Sequence, residues 1–227
     1  MRILVIDVGG SHVKVLATGR RVPVKIVSGP TMTAREMVRC VKNATATWTF
    51  EAVSIGYPGV VRKGRPVGEP ANLGAGWVRF NFSRAFGCPV KLINDSAMQA
   101  LGSYKGGRML FLGLGTGLGS ALIVDGVLAP MELAHLPYSH GRTYEEYVGQ
   151  AGLTRLGTKK WRRHVSAVVT LLKTALEADD VVIGGGNARR LPTLPAGARR
   201  GSNAHAFAGG FRMWKSLGSS ESRRARE

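Results

Sequence analysis

Two glycine-rich turns and a small set of carboxylates define the chemistry open to this chain. The first turn lies in Ile3-Leu-Val-Ile-Asp-Val-Gly-Gly-Ser-His-Val-Lys14, where an apolar run ends at Asp7, passes Gly9 and Gly10 and reaches Lys14. The second lies in Leu110-Phe-Leu-Gly-Leu-Gly-Thr-Gly-Leu-Gly-Ser-Ala-Leu-Ile-Val124 and repeats the device: apolar run, glycine-rich turn, apolar run. A turn without side chains exposes backbone N–H groups, and such groups meet phosphate oxygens. Gly9, Gly10, Gly115, Thr116 and Gly117 are therefore phosphate-binding candidates, with Lys14 as an added cation. Asp7, a carboxylate at a strand end, is the candidate ligand for a hydrated Mg²⁺. Two such turns facing one another would clamp a phosphate chain, and the chemistry would be phosphoryl transfer. The plainer alternative is a pair of ordinary hairpins with one polar strand end.

Phosphoryl transfer to an alcohol needs an aligned hydroxyl and a carboxylate to take or orient its proton. Asp95 fits that role: it follows Pro89-Val-Lys-Leu-Ile93, stands beside Asn94 and opens a helix. Capping of that helix by Asn94 or Asp95 is the competing reading. Glu132 and His135, three residues apart, can share one face of a helical turn and bind sugar hydroxyls. Gly184-Gly-Gly-Asn187 follows an apolar strand and can receive a flat base or the far end of a polyphosphate, or be a simple turn.

The elements that must position these groups read in order. Strands are expected over 2–8, 13–17 and 22–27, a helix over 33–50 with Thr33 and Glu36 as a capping box, and a strand over 52–57. Residues 58–80 read as a binding loop. A short helix at 82–86, a strand at 89–93 and a helix at 96–104 follow, and Gly106-Gly107 reads as a hinge. The second hairpin is followed by the Asp125-Gly126 turn, helices at 144–151 and 159–176, a strand at 180–183 and a last helix at 204–217. Strands, a crossover helix, another strand, and then the same again imply two mixed α/β halves. The boundaries expected are 1–108 with the returning helix 204–217, then 109–203, with a disordered tail at 218–227. No G-x-x-x-x-G-K-[ST] loop is present. The second glycine turn enters a strand and not a helix, which disfavours a dinucleotide fold.

Composition narrows the classes. The 227 residues are 44% hydrophobic, enough for a core, and no apolar stretch has the ~20 residues of a membrane helix. Cys40 and Cys88 are the two cysteines, too few for a disulfide framework or a four-ligand zinc site. No structural zinc, no membrane partner and a cytoplasmic setting are expected. Lys and Arg number 32 against 14 Asp and Glu, a formal charge of +18. From Arg155 onward there are 15 basic and 5 acidic residues. Such a field attracts polyanions. A generally basic surface with no single partner is the alternative, and a specific nucleic-acid partner is not expected because no RNP-like aromatic strand or zinc finger is present.

The ordered motifs resemble those of the ROK sugar kinases, and within them the polyphosphate-using branch. The matching stretches are Asp7 to Lys14, Ile55-Gly-Tyr-Pro-Gly-Val-Val61, Ala71-Asn-Leu73, Leu92-Ile-Asn-Asp95, Leu114 to Leu122, Glu132-Leu-Ala-His-Leu136 and Val182-Ile-Gly-Gly-Gly-Asn187. The resemblance implies an actin-like ATPase (ribonuclease H-like) α/β fold with two domains around a cleft. It implies a hexose phosphorylated at its 6-hydroxyl, with polyphosphate and/or ATP as donor, Mg²⁺ as cofactor, and a homodimer. Asp95 would be the base. Asn72, Asn94, Glu132, His135 and Glu145 would fall on sugar-binding positions, and Gly185 and Gly186 near the nucleotide base. Two departures stand out. The cysteine-rich zinc motif of many members is missing, and Ala134 replaces the glycine of the E-x-G-H element. An ATP-only hexose or amino-sugar kinase, and a sugar-binding regulator without catalysis, are the remaining alternatives.

Overall fold

The computed structural model describes residues 1–202 and 204–214. Its contacts divide the chain into two units, Met1–Met98 with the segment from Phe207 on, and Gln99–Ala206.

The first unit opens with β1 (Ile3–Val8), β2 (His12–Ala17) and β3 (Val24–Val27), an antiparallel meander. Helix α1 (Ala34–Ala44) crosses to β4 (Ala52–Tyr57), which pairs parallel to β1. After the small β5–β6 hairpin (Val61–Arg62, Arg65–Pro66) and α2 (Phe82–Phe86), β7 (Val90–Asn94) pairs parallel to β4. The sheet order is β3-β2-β1-β4-β7. Every residue of β1 and β4 is buried, as expected of parallel strands covered on both faces. Helix α3 (Asp95–Ser103) follows, and the division between units falls within it.

The second unit repeats the plan. Strands β8 (Arg108–Leu114), β9 (Leu118–Val124) and β10 (Val127–Met131) form the antiparallel meander. The hairpin β11–β12 (Pro137–Ser139, Arg142–Thr143), α4 (Tyr144–Val148) and α5 (Gln150–Ala175) make the crossover. Strand β13 (Asp180–Gly184) pairs parallel to β8, and β14 (Ala198–Arg200) pairs parallel to β13. The order is β10-β9-β8-β13-β14. This is the two-sheet, mixed α/β architecture of the actin-like ATPase superfamily. Helix α6 (His205–Arg212) passes into a turn at Met213 and Trp214, where the Trp214 amide donates to the Phe211 carbonyl, so the last helix stops short of the expected 204–217. The expected disordered tail lies outside the described residues.

Several elements differ from the sequence reading. Helix α1 stops at Ala44 and not at Phe50, because the Thr45 hydroxyl bonds back to the Val41 carbonyl at 2.8 Å and its backbone leaves the helix. Trp48 instead packs on the core from a turn, under the Arg20 guanidinium. Thr33 caps α1, but Glu36 reaches Arg39 at 3.3 Å. A full capping box forms at Thr143 and Glu146. The long helix begins at Gln150 and breaks at Gly157, whose φ of 71 and ψ of 161 a side chain would resist. Beyond that break Trp161, Val165, Val168 and Leu172 make the expected buried stripe.

Aromatic packing shapes the 58–80 segment. Trp77 is fully buried, 5.6 Å from the Tyr57 ring, and its indole N–H donates to the Gly74 carbonyl. Glu69 accepts from the Trp77 backbone at 2.9 Å, and Tyr57 donates to the Gly68 carbonyl. What reads as a loop is therefore a pinned structure.

Acids are scarce, and many cations bond to backbone oxygen instead. Arg155 donates to the Glu146 carbonyl, Arg162 to that of Arg190, Arg200 to those of Ala188 and Leu191, and Lys91 to that of Met213. Arg199 forks onto Asp180 and also donates to the Ser103 carbonyl.

Candidate active site

In the first unit, β1 carries Asp7 to the edge of the core, where it is 8% exposed. Lys14 faces it from β2, with Nζ 3.4 Å from Oδ2. Burial pushes the Asp7 carboxyl up, and Lys14 opposes that only in part. The turn beyond is closed by the Gly9 N–H donating to the His12 carbonyl at 3.1 Å. Ser28 locks it from β3's end: its hydroxyl donates to the Gly9 carbonyl at 2.6 Å. Asn72 packs over Gly10, and a Cβ added there would lie 3.0 Å from that of Asn72. The segment behind Asn72 is tied down by the Gly74 N–H donating to the Met32 carbonyl.

Strand β7 delivers Asn94 and Asp95 beside these groups. The Asn94 carboxamide caps α3: its oxygen accepts from the Ser96 and Ala97 amides at 2.9 and 3.1 Å, and its nitrogen donates to the Gly59 carbonyl at 3.1 Å. Capping thus falls mainly to Asn94, which keeps one N–H for a ligand. Asp95 is left as a partly accessible carboxylate that accepts from the Ser96 amide at 2.8 Å. Burial first, and the Asp7 charge second, push its pKa up to about 7. A carboxylate poised there can exchange a proton at neutral pH.

In the second unit the turn between β8 and β9 is held from below. The Gly115 N–H donates to the Gly117 carbonyl, and the Gln150 N–H donates to the Thr116 carbonyl at 3.0 Å. Asn187, buried, donates to the Gly115 carbonyl and the Gln150 side-chain oxygen, each at 3.1 Å. Gly185 must be glycine: its φ is +83, and a Cβ would run into the Leu114 backbone. The Glu145 carboxylate lies where a Cβ on Gly117 would point, so a side chain there would push Glu145 aside. Glu145 stands on α4, directed by the Thr143 capping box, and its Oε1 is 3.8 Å from His135 Nδ1. Glu132 and His135, both exposed, lie at the two ends of a 3-10 turn over Leu133–His135. Ser120 fastens that turn, accepting from the Leu133 amide and donating to the Met131 carbonyl.

The structure thus assembles two groups of the expected residues, each within one unit. Asp7, Lys14, Gly9, Gly10, Asn72, Asn94 and Asp95 are in the first, and Gly115, Thr116, Gly117, Glu132, His135, Glu145, Gly185 and Gly186 in the second. The sequence did not point to Ser28, Ser120 or Gln150, whose bonds are long-range and leave no local pattern. Asn187 adjoins a glycine run and was legible in principle. Among the described residues, no cluster of three or more His, Cys, Asp or Glu is arranged to hold a metal ion. Among them, too, no helix is long and apolar enough to cross a membrane.

Two sheets share one strand order and each carries a glycine turn, and the first adds the carboxylates Asp7 and Asp95. The ROK family profile matches residues 3–130, and the chain belongs to that family of sugar kinases and phosphotransferases. Polyphosphate glucokinase of Mycobacterium tuberculosis is 28% identical over 207 residues, covering 82% of this chain and 77% of that protein. Among solved structures, the inorganic polyphosphate/ATP-glucomannokinase of Arthrobacter sp. strain KM aligns with a TM-score of 0.77 and 22% identity, over 92% of this chain and 96% of that one. A ROK family glucokinase from Streptomyces griseus, in complex with glucose and AMPPNP, aligns with a TM-score of 0.74 and 17% identity, over 94% and 99% of the two chains.

Proposed function

We propose that the protein transfers a phosphoryl group from polyphosphate, and also from ATP, to the 6-hydroxyl of glucose or a closely related hexose. The observation that carries this reading is Asp95, held at a strand end with its pKa pushed to about 7 beside a second buried carboxylate. A hydroxyl hydrogen-bonded to Asp95 is aimed at the donor's terminal phosphorus; Asp95 takes its proton as the new O–P bond forms, the donor's terminal P–O bond breaks, and ADP or the polyphosphate shortened by one unit leaves. Asn72, the remaining N–H of Asn94, Glu132, His135 and Glu145 hold the sugar hydroxyls. The amides of Gly10, Thr116 and Gly117, the Thr116 hydroxyl and Lys14 hold the phosphate chain. Gly185 and Gly186 leave room for a nucleotide base or for further phosphates.

Asp7 is the residue that would hold Mg²⁺. Its carboxylate, with Lys14 Nζ at 3.4 Å from Oδ2, could take a hydrated ion carried in on the donor, since Mg²⁺ is commonly bound by one or two carboxylates plus substrate phosphates. When bound, that ion neutralises charge on the transferring phosphate. The protein is further read as a cytoplasmic homodimer.

The supporting likeness is to relatives that bear polyphosphate glucokinase and glucomannokinase names. One coupled assay tests the reading: glucose and mannose as acceptors, each against polyphosphate and ATP, with and without Mg²⁺. Hexose 6-phosphate should form with both donors and should require Mg²⁺. Formation with ATP alone would leave the ATP-only hexose kinase as the function. Sugar binding without any transfer would make the protein a sensor.

A further inference from the structure

Away from the glycine turns, the first unit carries a basic groove between α1 and α2. Its volume is about 580 Å³, and Arg35, Arg39 and Lys42 on α1 face Arg84 on α2 across it. The three on α1 recur at intervals of four and three residues, which places them along one side of the helix. A second hollow of about 280 Å³ adjoins it through Phe80 and Asn81, and adds Arg65 and Arg79. All six cations are exposed, and neither hollow is lined by an Asp or Glu. Glu36, on the same helix, pairs with Arg39 at 3.3 Å, and the other five cations have no acidic partner along the channel among the described residues, so they repel each other unless an anion lies among them. The arrangement suits a ligand that carries negative charge along its length.

One feature separates a bare phosphate chain from nucleic acid. Binding to single strands uses open aromatic faces on which bases stack. The exposed side of this groove offers no Trp or Tyr, and Phe80 is engaged edge-on with Phe82 at 4.9 Å. The amide oxygen of Asn81 already accepts from the Arg84 backbone, which leaves Asn43 as the carboxamide of the larger hollow most open to a base edge. The apolar part of its lining is Val38, Phe80 and Ala85.

We propose that the groove between α1 and α2 is a second phosphate-chain site, which holds the length of an inorganic polyphosphate while its end reacts elsewhere on the protein. The inference rests on the polyphosphate reading of the donor. The groove joins the glycine turn through one short stretch of chain: Ser28 locks Gly9, Met32 binds Gly74, and α1 begins at Ala34. ATP and triphosphate have no chain beyond three phosphates to lay along the groove while the terminal phosphate reacts, so their use as donors should be independent of it.

The test compares the wild type with the triple variant R35Q/R39Q/K42Q and with R84Q. These positions are exposed, and Gln keeps the helical propensity of the α1 sites. Binding of labelled long-chain polyphosphate, of triphosphate and of single-stranded RNA is measured against salt, alongside kinetics with each donor. For the triple variant, affinity for long polyphosphate should fall about tenfold or more at low salt, and the slope of log K against log salt should become shallower by about 2. KM for long polyphosphate should rise in parallel, while triphosphate binding and kcat and KM with ATP stay unchanged. R84Q should show the same pattern at smaller amplitude. Unchanged polyphosphate affinity in both variants overturns the proposal, as does a loss confined to RNA. If the wild type binds long polyphosphate through these residues but never uses it as a donor, the groove stands and the donor reading falls.

Discussion

The two units share one sheet order, yet they differ where the chemistry lies. In the first, Asp7 pairs in register with Gly56 on one side and Lys14 on the other. The matching place in the second is Gly113, paired with Gly184 and Gly119. One unit puts an ion pair at the strand end, and the other puts three glycines there. At the strand end the first unit has ionisable groups and the second has bare backbone. The second unit's site acids come from outside its sheet: Glu132 precedes a 3-10 turn, and Glu145 stands on a helix and lies against Gly117. At their strand ends, then, one half bears charge and the other close approach.

Substitutions test this division in order of expected effect. Asp95→Asn removes the proton acceptor and should lower kcat by about 10²–10⁴ with little change in sugar affinity. Unchanged kcat would dismiss the charge-bearing half from the chemistry. The same variant should be more stable than wild type at pH 8. The Asp95 carboxyl titrates near 7 in the folded chain and lower when unfolded, so its burial costs stability as pH rises through that window. Denaturant unfolding should show a gain of about 1–3 kcal/mol at pH 8 and almost none at pH 4.

Gly117→Ala belongs to the shape-bearing half. Its methyl would displace Glu145, and KM for hexose should rise about tenfold or more while the pH profile keeps its form. A shifted profile would mean that the halves are not separable in this way. Asn187→Ala loosens the turn from below. KM for the donor should rise several-fold with hexose KM unchanged, and thermal unfolding should report a loss of about 1–3 kcal/mol from unpaired buried groups. Asp7→Asn gives the finest discrimination when read in Mg²⁺-free protein, apart from the loss of activity expected if Asp7 holds the ion. The Asp95 carboxyl, followed by NMR titration, should titrate near pH 7 in the wild type. Without the Asp7 charge its titration should move to lower pH, because like charge helps hold Asp95 up. An unmoved titration would show that burial alone sets it.

Much of this was legible from residue order. Both glycine hairpins, the capped start of α1 and the Trp161 to Leu172 stripe are local patterns, and local patterns are what a sequence displays. The exchange of roles between Asn94 and Asp95 was only half legible: either could cap α3, and the Gly59 carbonyl that fixes Asn94 lies on another loop. The 58–80 segment read as irregular because its order comes from Trp77, Tyr57 and Glu69 meeting across the fold. The kink at Gly157 depends on a backbone angle that composition does not reveal. The amides of Gly9 and Gly115 read as open, yet each donates within its own turn.

The cations that donate to carbonyl oxygens bring the two effects of ionic strength into opposition. Neutral acceptors anchor these side chains without cancelling their charge, so the folded chain stores self-repulsion that dissolved salt relieves. Raising the ionic strength should make the protein harder to melt and, in the same solution, a poorer captor of anions.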